Sequence, residues 1–202
     1  VPEVRRVGDD FNRSPGHGLS PCEVRSGSWE IAFSLDPNRI PDQYSLIGRA
    51  GATGQTAVAV LQGSPWSGVR VSFSFQPLEP CEAGIVEQWS GADARASGLV
   101  FCVDSNAAVL QADGRRAVEM RLNQWHRVVV ERWGWVLRVS VDDTPVLTRL
   151  DLAPGAGVPA FCVQRGRAAF DDVLVEEIPW QADDGRAVTM PWVVSPRARW
   201  FR

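Results

Sequence analysis

The sequence predicts an all-β domain built as two packed antiparallel sheets or a barrel, and three observations carry that expectation. The first is strict alternation: Val69-Arg70-Val71-Ser72-Phe73-Ser74-Phe75 puts an apolar side chain at every second position, the period of a strand with one face in a core and one in water. The second is recurrence, because short runs rich in β-branched and aromatic residues return along the chain between Gly, Pro, Asp and Asn. The third is that no window shows an extended helical period bounded by capping residues.

Taken in order, the predicted strands are Trp29–Leu35, Tyr44–Gly48, Ala57–Leu61, Val69–Phe75, Gly84–Trp89, Gly98–Val103, Ala107–Gln111, Val158–Val163 and Ala169–Val175. Asp36-Pro37-Asn38, Ala112-Asp113-Gly114 and Pro154-Gly155 punctuate them as turns. Trp125 to Val141 reads as a hairpin: Val128-Val129-Val130 rises into Arg132-Trp133-Gly134, and Trp135, Leu137, Val139 and Val141 then alternate with Val136, Arg138 and Ser140. Beyond Ile178 the pattern ends, so residues 1–178 are expected to form the sandwich and 179–202 an irregular Trp- and Arg-containing tail. Pro191, Val194 and Trp200 echo Pro21, Val24 and Trp29, and the tail is therefore also readable as the start of a truncated second repeat.

Composition narrows the class. A chain of 202 residues with 45% hydrophobic and 22% charged residues has ordinary globular usage and length for one large core. The net charge of −3 comes with scattered basic residues, which excludes the electrostatic footprint of a nucleic-acid binder. All 21 basic residues are Arg, which we read as genomic GC bias rather than as an anion-binding surface, since no basic patch accompanies it. No apolar run approaches the roughly eighteen residues of a membrane span. The residues from Val1 onward carry neither a basic n-region nor an apolar h-region, so any export signal is expected to have been removed or left out.

Cys22, Cys81, Cys102 and Cys162 are far apart and lack C-x-x-C spacing, which disfavours zinc or a redox pair. Two disulfides or four buried thiols remain. The even count in a β-rich chain favours disulfides, in one of three pairings, and an extracytoplasmic location.

Several strings in this order resemble the concanavalin A-like lectin/glucanase superfamily, including its laminin-G-like modules, over about residues 9–178. They are Asp9-Asp10-Phe11-Asn12-Arg13, Gly27-Ser28-Trp29, Ser97-Gly98-Leu99-Val100-Phe101, Gln124-Trp125-His126-Arg127-Val128, Val139-Ser140-Val141-Asp142-Asp143 and Phe170-Asp171-Asp172-Val173-Leu174-Val175. The resemblance implies a two-sheet antiparallel jelly-roll sandwich with its first and last strands adjacent, bringing Asp9 and Asp10 toward Asp171 and Asp172. Asp142-Asp143 followed by Thr144-Pro145-Val146 reads as a tight hairpin, since Asp tolerates turn geometry; Asp143 stands where the family more often has Gly, which leaves the turn type open.

The chemistry of glycosidases on this fold requires two carboxylates facing one cleft. Their Glu-x-Asp-x-Glu strand motif is absent, and in the nearest cluster, Asp171, Asp172, Glu176 and Glu177, residues four apart on a strand lie roughly 13 Å apart. No catalytic residue is therefore assigned. Two histidines, His17 and His126, cannot build a multi-histidine metal site and are expected as a loop residue and a half-buried strand residue. No Gly-x-Ser-x-Gly or glycine-rich phosphate loop occurs. The one metal with an address is a structural calcium at Asp9, Asp10, Asp171 and Asp172, set against the reading that these side chains satisfy turn amides.

Nine Trp in 202 residues is the strongest binding signal. Trp29, Trp125 and Trp135 fall in core-packing patterns, whereas Trp66, Trp89, Trp133 and Tyr44 are the candidates for an exposed sugar platform. The leading expectation is a non-catalytic, lectin-like module that binds a polysaccharide or glycan. The alternative is a structural or protein-interaction subunit of an envelope assembly, docking through Trp180, Trp192, Arg197, Arg199 and Trp200. A glycoside hydrolase or lyase is the third.

Overall fold

In the computed structural model, residues 5–33, 44–51, 54–89, 91, 98–153 and 155–179 are described. In chain order the strands are β1 (Arg6–Asp9), β2 (Cys22–Ser26), β3 (Ser28–Phe33), β4 (Tyr44–Arg49), β5 (Ala57–Leu61), β6 (Gly68–Pro77), β7 (Cys81–Trp89) and β8 (Leu99–Val103). They continue as β9 (Ala108–Gln111), β10 (Arg115–Ala117), β11 (His126–Trp133), β12 (Val136–Val141), β13 (Thr144–Arg149), β14 (Val158–Arg165) and β15 (Arg167–Glu177), and no helix occurs among the described residues.

The strands form two antiparallel sheets. One runs β13-β12-β11-β6-β15-β4-β3 with β1 added to β15 as its eighth strand, and the other runs β10-β9-β8-β7-β14-β5-β2. From β4 to β7 and from β13 to β15 the chain crosses between sheets at every step, so the alternating apolar residues of both meet in one core. Val69, Val71, Phe73 and Phe75 of β6 are fully buried. At the centre, Phe170 of β15 stacks on Phe161 of β14 with ring centroids 4.4 Å apart, joining the sheets.

The turns follow their chemistry. Gly134 closes the β11–β12 hairpin at φ +49°. At the β12–β13 hairpin Asp142 and Asp143 both take positive φ, +47° and +63°, the geometry of a two-residue type I′ turn, so Asp143 does what Gly does elsewhere. The strands absent from the sequence reading, β1, β2 and β10, lie along sheet margins, where a short strand carries no clear two-residue period.

The expected disulfides do not form: all four cysteines are free thiols. Cys22 and Cys81 face the inter-sheet core, three strand positions apart across β2-β5-β14-β7. Cys102 and Cys162 belong to a second apolar cluster with Val58, Val86 and Val100 and flank β7. Two strand spacings put that pair roughly 10 Å apart, beyond the roughly 7 Å Cα limit for a bridge. Burial pushes the thiols of Cys22, Cys81 and Cys162 up to about 12.

Candidate functional site

On its outward side the eight-stranded sheet carries a row of alternating charge. The register sets Arg6 opposite Glu176, Glu176 opposite Arg70, Arg70 opposite Glu131 and Glu131 opposite Arg138, across β1, β15, β6, β11 and β12. Each of these residues is next in sequence to one facing the core, including Val69, Val71, Val130, Leu137, Val139 and Val175, so the strand period itself turns the charges outward. Arg6 pairs with Glu176 at 3.0 Å and Arg70 with Glu131 at 3.9 Å. These partly exposed pairs add little stability. Their effect is to hold carboxylate oxygens and guanidinium N–H groups in fixed positions.

At the β11–β12 end of the row the Arg138 guanidinium lies 5.1 Å above the Trp133 ring, within cation–π range. Trp135, in the adjoining hairpin turn, is 45% exposed, which corrects the expectation that it packs in the core. The strand begins at Val136, one residue later, and the turn carries Trp135 outside the alternation.

The other sequence-predicted aromatic residues do not converge on this face. Trp66 is 2% exposed, with the Arg5 guanidinium 3.3 Å from its ring centroid, so it caps the core and offers no platform. Its backbone exchanges two hydrogen bonds with Gly157, which fixes it in this position. Trp89 is half-buried against the second apolar cluster, and a bulge between its pairing with Val158 and that of Val86 with Ala160 turns it there. Tyr44 is half-buried in an edge-to-face contact with Phe33 at 5.8 Å. Trp29 is in the core as expected. Trp180, Trp192, Arg197, Arg199 and Trp200 lie outside the described residues.

β1 pairs with β15 and Asp9 stands opposite Val173, so the strands carrying the two Asp pairs are adjacent. Their oxygens are engaged. Asp9 Oδ1 accepts from the Phe11 amide and its carboxylate pairs with Arg13 at 2.9 Å, Asp10 accepts from the Asn12 amide, Asp171 from the Asp172 amide, and Asp172 from the Ser74 hydroxyl. Among the described residues no three His, Cys, Asp or Glu side chains gather as a metal site. Glu176 is held by Arg6 rather than by a second carboxylate.

His126 is buried, with Nδ1 2.7 Å from Asp142 Oδ2 and Nε2 accepting from the Arg121 amide at 3.0 Å. An accepting Nε2 places the proton on Nδ1, donated to Asp142. Both ring nitrogens are thereby used for structure, leaving none to activate a hydroxyl.

One pair escaped the sequence reading. Glu87 and Arg132 are buried, the first on β7 and the second on β11, and neither Glu87 Oε2 nor Arg132 Nε has a hydrogen-bond partner. Burial raises the Glu87 carboxyl, while its own amide and the nearby Arg132 guanidinium pull it back. Arg132 Nη2 donates to the Ala153 carbonyl at 2.6 Å. The signal was present: Val128, Val130 and Arg132 share one strand phase, so a guanidinium occupies a core-facing position.

No protein-family profile and no curated protein sequence matches the chain. Its structure is similar to the carbohydrate-binding module CBM66 from Bacillus subtilis, at 13% identity and a TM-score of 0.53, over 78% of this chain and 96% of that one. The chain has that fold. It is likewise similar to a Bacillus subtilis protein with a galectin-like fold, at 13% identity and TM-score 0.58 over 87% and 98% of the two chains. A third likeness is to the Crh5 transglycosylase in complex with NAG, at 11% identity and TM-score 0.59 over 86% and 84%. At these identities the relationship is one of architecture: a two-sheet jelly-roll sandwich shared by binding modules and enzymes.

Proposed function

We propose that this chain is a non-catalytic carbohydrate-binding module whose glycan lies on the outer face of the eight-stranded sheet, along the row from Arg6 to Arg138 and against the Trp133–Trp135 turn. The observation that carries the reading is the row itself: five charged side chains in cross-strand register beside the half-buried Trp133 indole. Sugars are recognised by placed hydrogen-bonding groups combined with an aromatic face that takes the apolar side of the ring. Similarity to CBM66 supports the class, and similarity to Crh5 in complex with NAG keeps the hydrolase reading testable.

A non-catalytic role is favoured because three carboxylates of the cluster singled out as possibly catalytic are engaged: Glu176 pairs with Arg6, Asp171 accepts from the Asp172 amide and Asp172 from the Ser74 hydroxyl. The deciding experiment incubates the intact chain with a polysaccharide panel and measures both retention on each polysaccharide and release of reducing ends. Retention without release supports a module. Release that disappears in Glu176→Gln or Glu87→Gln would make it an enzyme.

A further inference from the structure

At the end of the sandwich away from Trp135, the turns after β4, between β6 and β7 and between β14 and β15 meet around an open cavity of about 400 Å³. That volume lies within the roughly 300–1,000 Å³ of small-molecule sites. Arg49, Glu79, Gln164 and Arg165 line it, with the backbone of Gly51 and Gly166. The shape is fixed by the fold. Gly166 sits at φ +71° where a Cβ would overlap the Pro80 carbonyl oxygen, and the Ala50 amide donates to the Gly166 carbonyl at 3.2 Å, tying the three turns together.

The charge here runs against that of the whole protein. Among the described residues lining it, Arg49 and Arg165 stand with Glu79, a surplus of one positive charge in a chain whose net charge is −3. Arg165 is paired with Glu82 at 3.4 Å, whereas the Arg49 side chain makes no ion pair or hydrogen bond with any described residue. Arg49 also stands directly opposite Arg167 in the β4–β15 pairing, and Arg167 Nε is a buried donor with no acceptor. Like charges directly opposite one another destabilise a sheet, and an anionic group held at Arg49, the member of the pair that lines the cavity, would relieve the repulsion, while the enclosed Arg167 Nε lies outside the lining.

Among the described residues no aromatic one lines the cavity, so the proposal there rests on polar groups. Guanidinium groups are matched to two-oxygen anions, and an amide with a carboxylate suits sugar hydroxyls as donor and acceptor. We propose that this cavity binds the carboxylate-bearing unit of an acidic saccharide, a uronate residue, with Arg49 and Arg165 on the carboxylate and Gln164 and Glu79 on ring hydroxyls. The proposal rests on the glycan-binding reading and adds a second site with its own ligand chemistry.

The test is isothermal titration of the intact protein with a galacturonate trisaccharide and with the same trisaccharide after reduction of its carboxyl groups. Arg49→Ala and Arg165→Ala are compared with the unaltered chain; both side chains are exposed, and near-UV circular dichroism checks that each variant folds. We expect the acidic trisaccharide to bind about tenfold more tightly than the reduced one, with the preference weakened by salt and abolished by Arg49→Ala. Equal affinities, or a preference unchanged in both variants, would overturn the uronate site while leaving glycan binding intact through the reduced ligand. Failure of both trisaccharides to bind would also overturn it, and retention on a neutral polysaccharide would then still uphold the module reading.

Discussion

Replacing Phe170 tests the claim that its ring is the hub of the aromatic cluster joining the two sheets. Its side chain is fully buried and its ring lies 4.4 Å from Phe161, 5.5 Å from Phe75, 5.9 Å from Trp29 and 6.1 Å from Phe73. Truncating a buried Phe to Ala costs about 3–5 kcal/mol. Four neighbouring rings, which cannot all close on the void, place Phe170→Ala at the upper end, about 4–5 kcal/mol. Phe170→Leu keeps most of the volume and loses the ring contacts, and should cost about 1–2 kcal/mol. For a domain of this length the Ala variant should melt about 8–20 °C lower. Urea unfolding followed by Trp fluorescence reads both variants, with an unchanged m-value showing that the same surface is exposed. A loss below about 2 kcal/mol for Phe170→Ala would mean that the sheets are held elsewhere and would refute the hub.

Two further outcomes follow from buried groups. Burial raises the Glu87 carboxyl above its ordinary 4.5, so the folded chain binds this proton more tightly than the unfolded one. The resulting stability is complete at acid pH and is lost as pH rises through the raised value, with a slope of at most about 1.4 kcal/mol per pH unit; Glu87→Gln should remove that slope, and parallel stability–pH curves would contradict it. Without reductant, all four cysteines should be alkylated after unfolding, whereas in the folded protein only Cys102, the half-buried thiol, should react; a protein whose cysteines resist alkylation until reduced would show that disulfides form after all.

Much of the fold was legible because burial imposes a period. Ala57–Leu61 was bounded correctly from sequence, and the Val69–Phe75 alternation marks the core face of β6. The Asp142-Asp143 hairpin was readable from its turn residues. What resisted reading were features set by register and by neighbours in space. Arg6, Arg70, Glu131, Arg138 and Glu176 are each ordinary polar members of a strand pattern, and only the pairing of five strands makes them one row. Trp66 and Trp135 exchanged roles for the same kind of reason: Arg5, some sixty residues away in sequence, covers the first, and a two-residue turn lifts the second out of phase. Cysteine count likewise says nothing of facing: Cys22 and Cys81 face the inter-sheet core, whereas Cys102 and Cys162 belong to the second apolar cluster, and all four are free thiols.

The central claim is that the outer face of the eight-stranded sheet is a glycan-binding surface. The most direct measurement is a glycan array probed with the intact protein and with Trp133→Ala and Glu131→Ala, two half-exposed positions of that face. The account predicts a defined set of bound glycans, weakened about tenfold or more in both variants as stacking and fixed hydrogen bonds are removed. A silent array, or binding that neither variant alters, would contradict it.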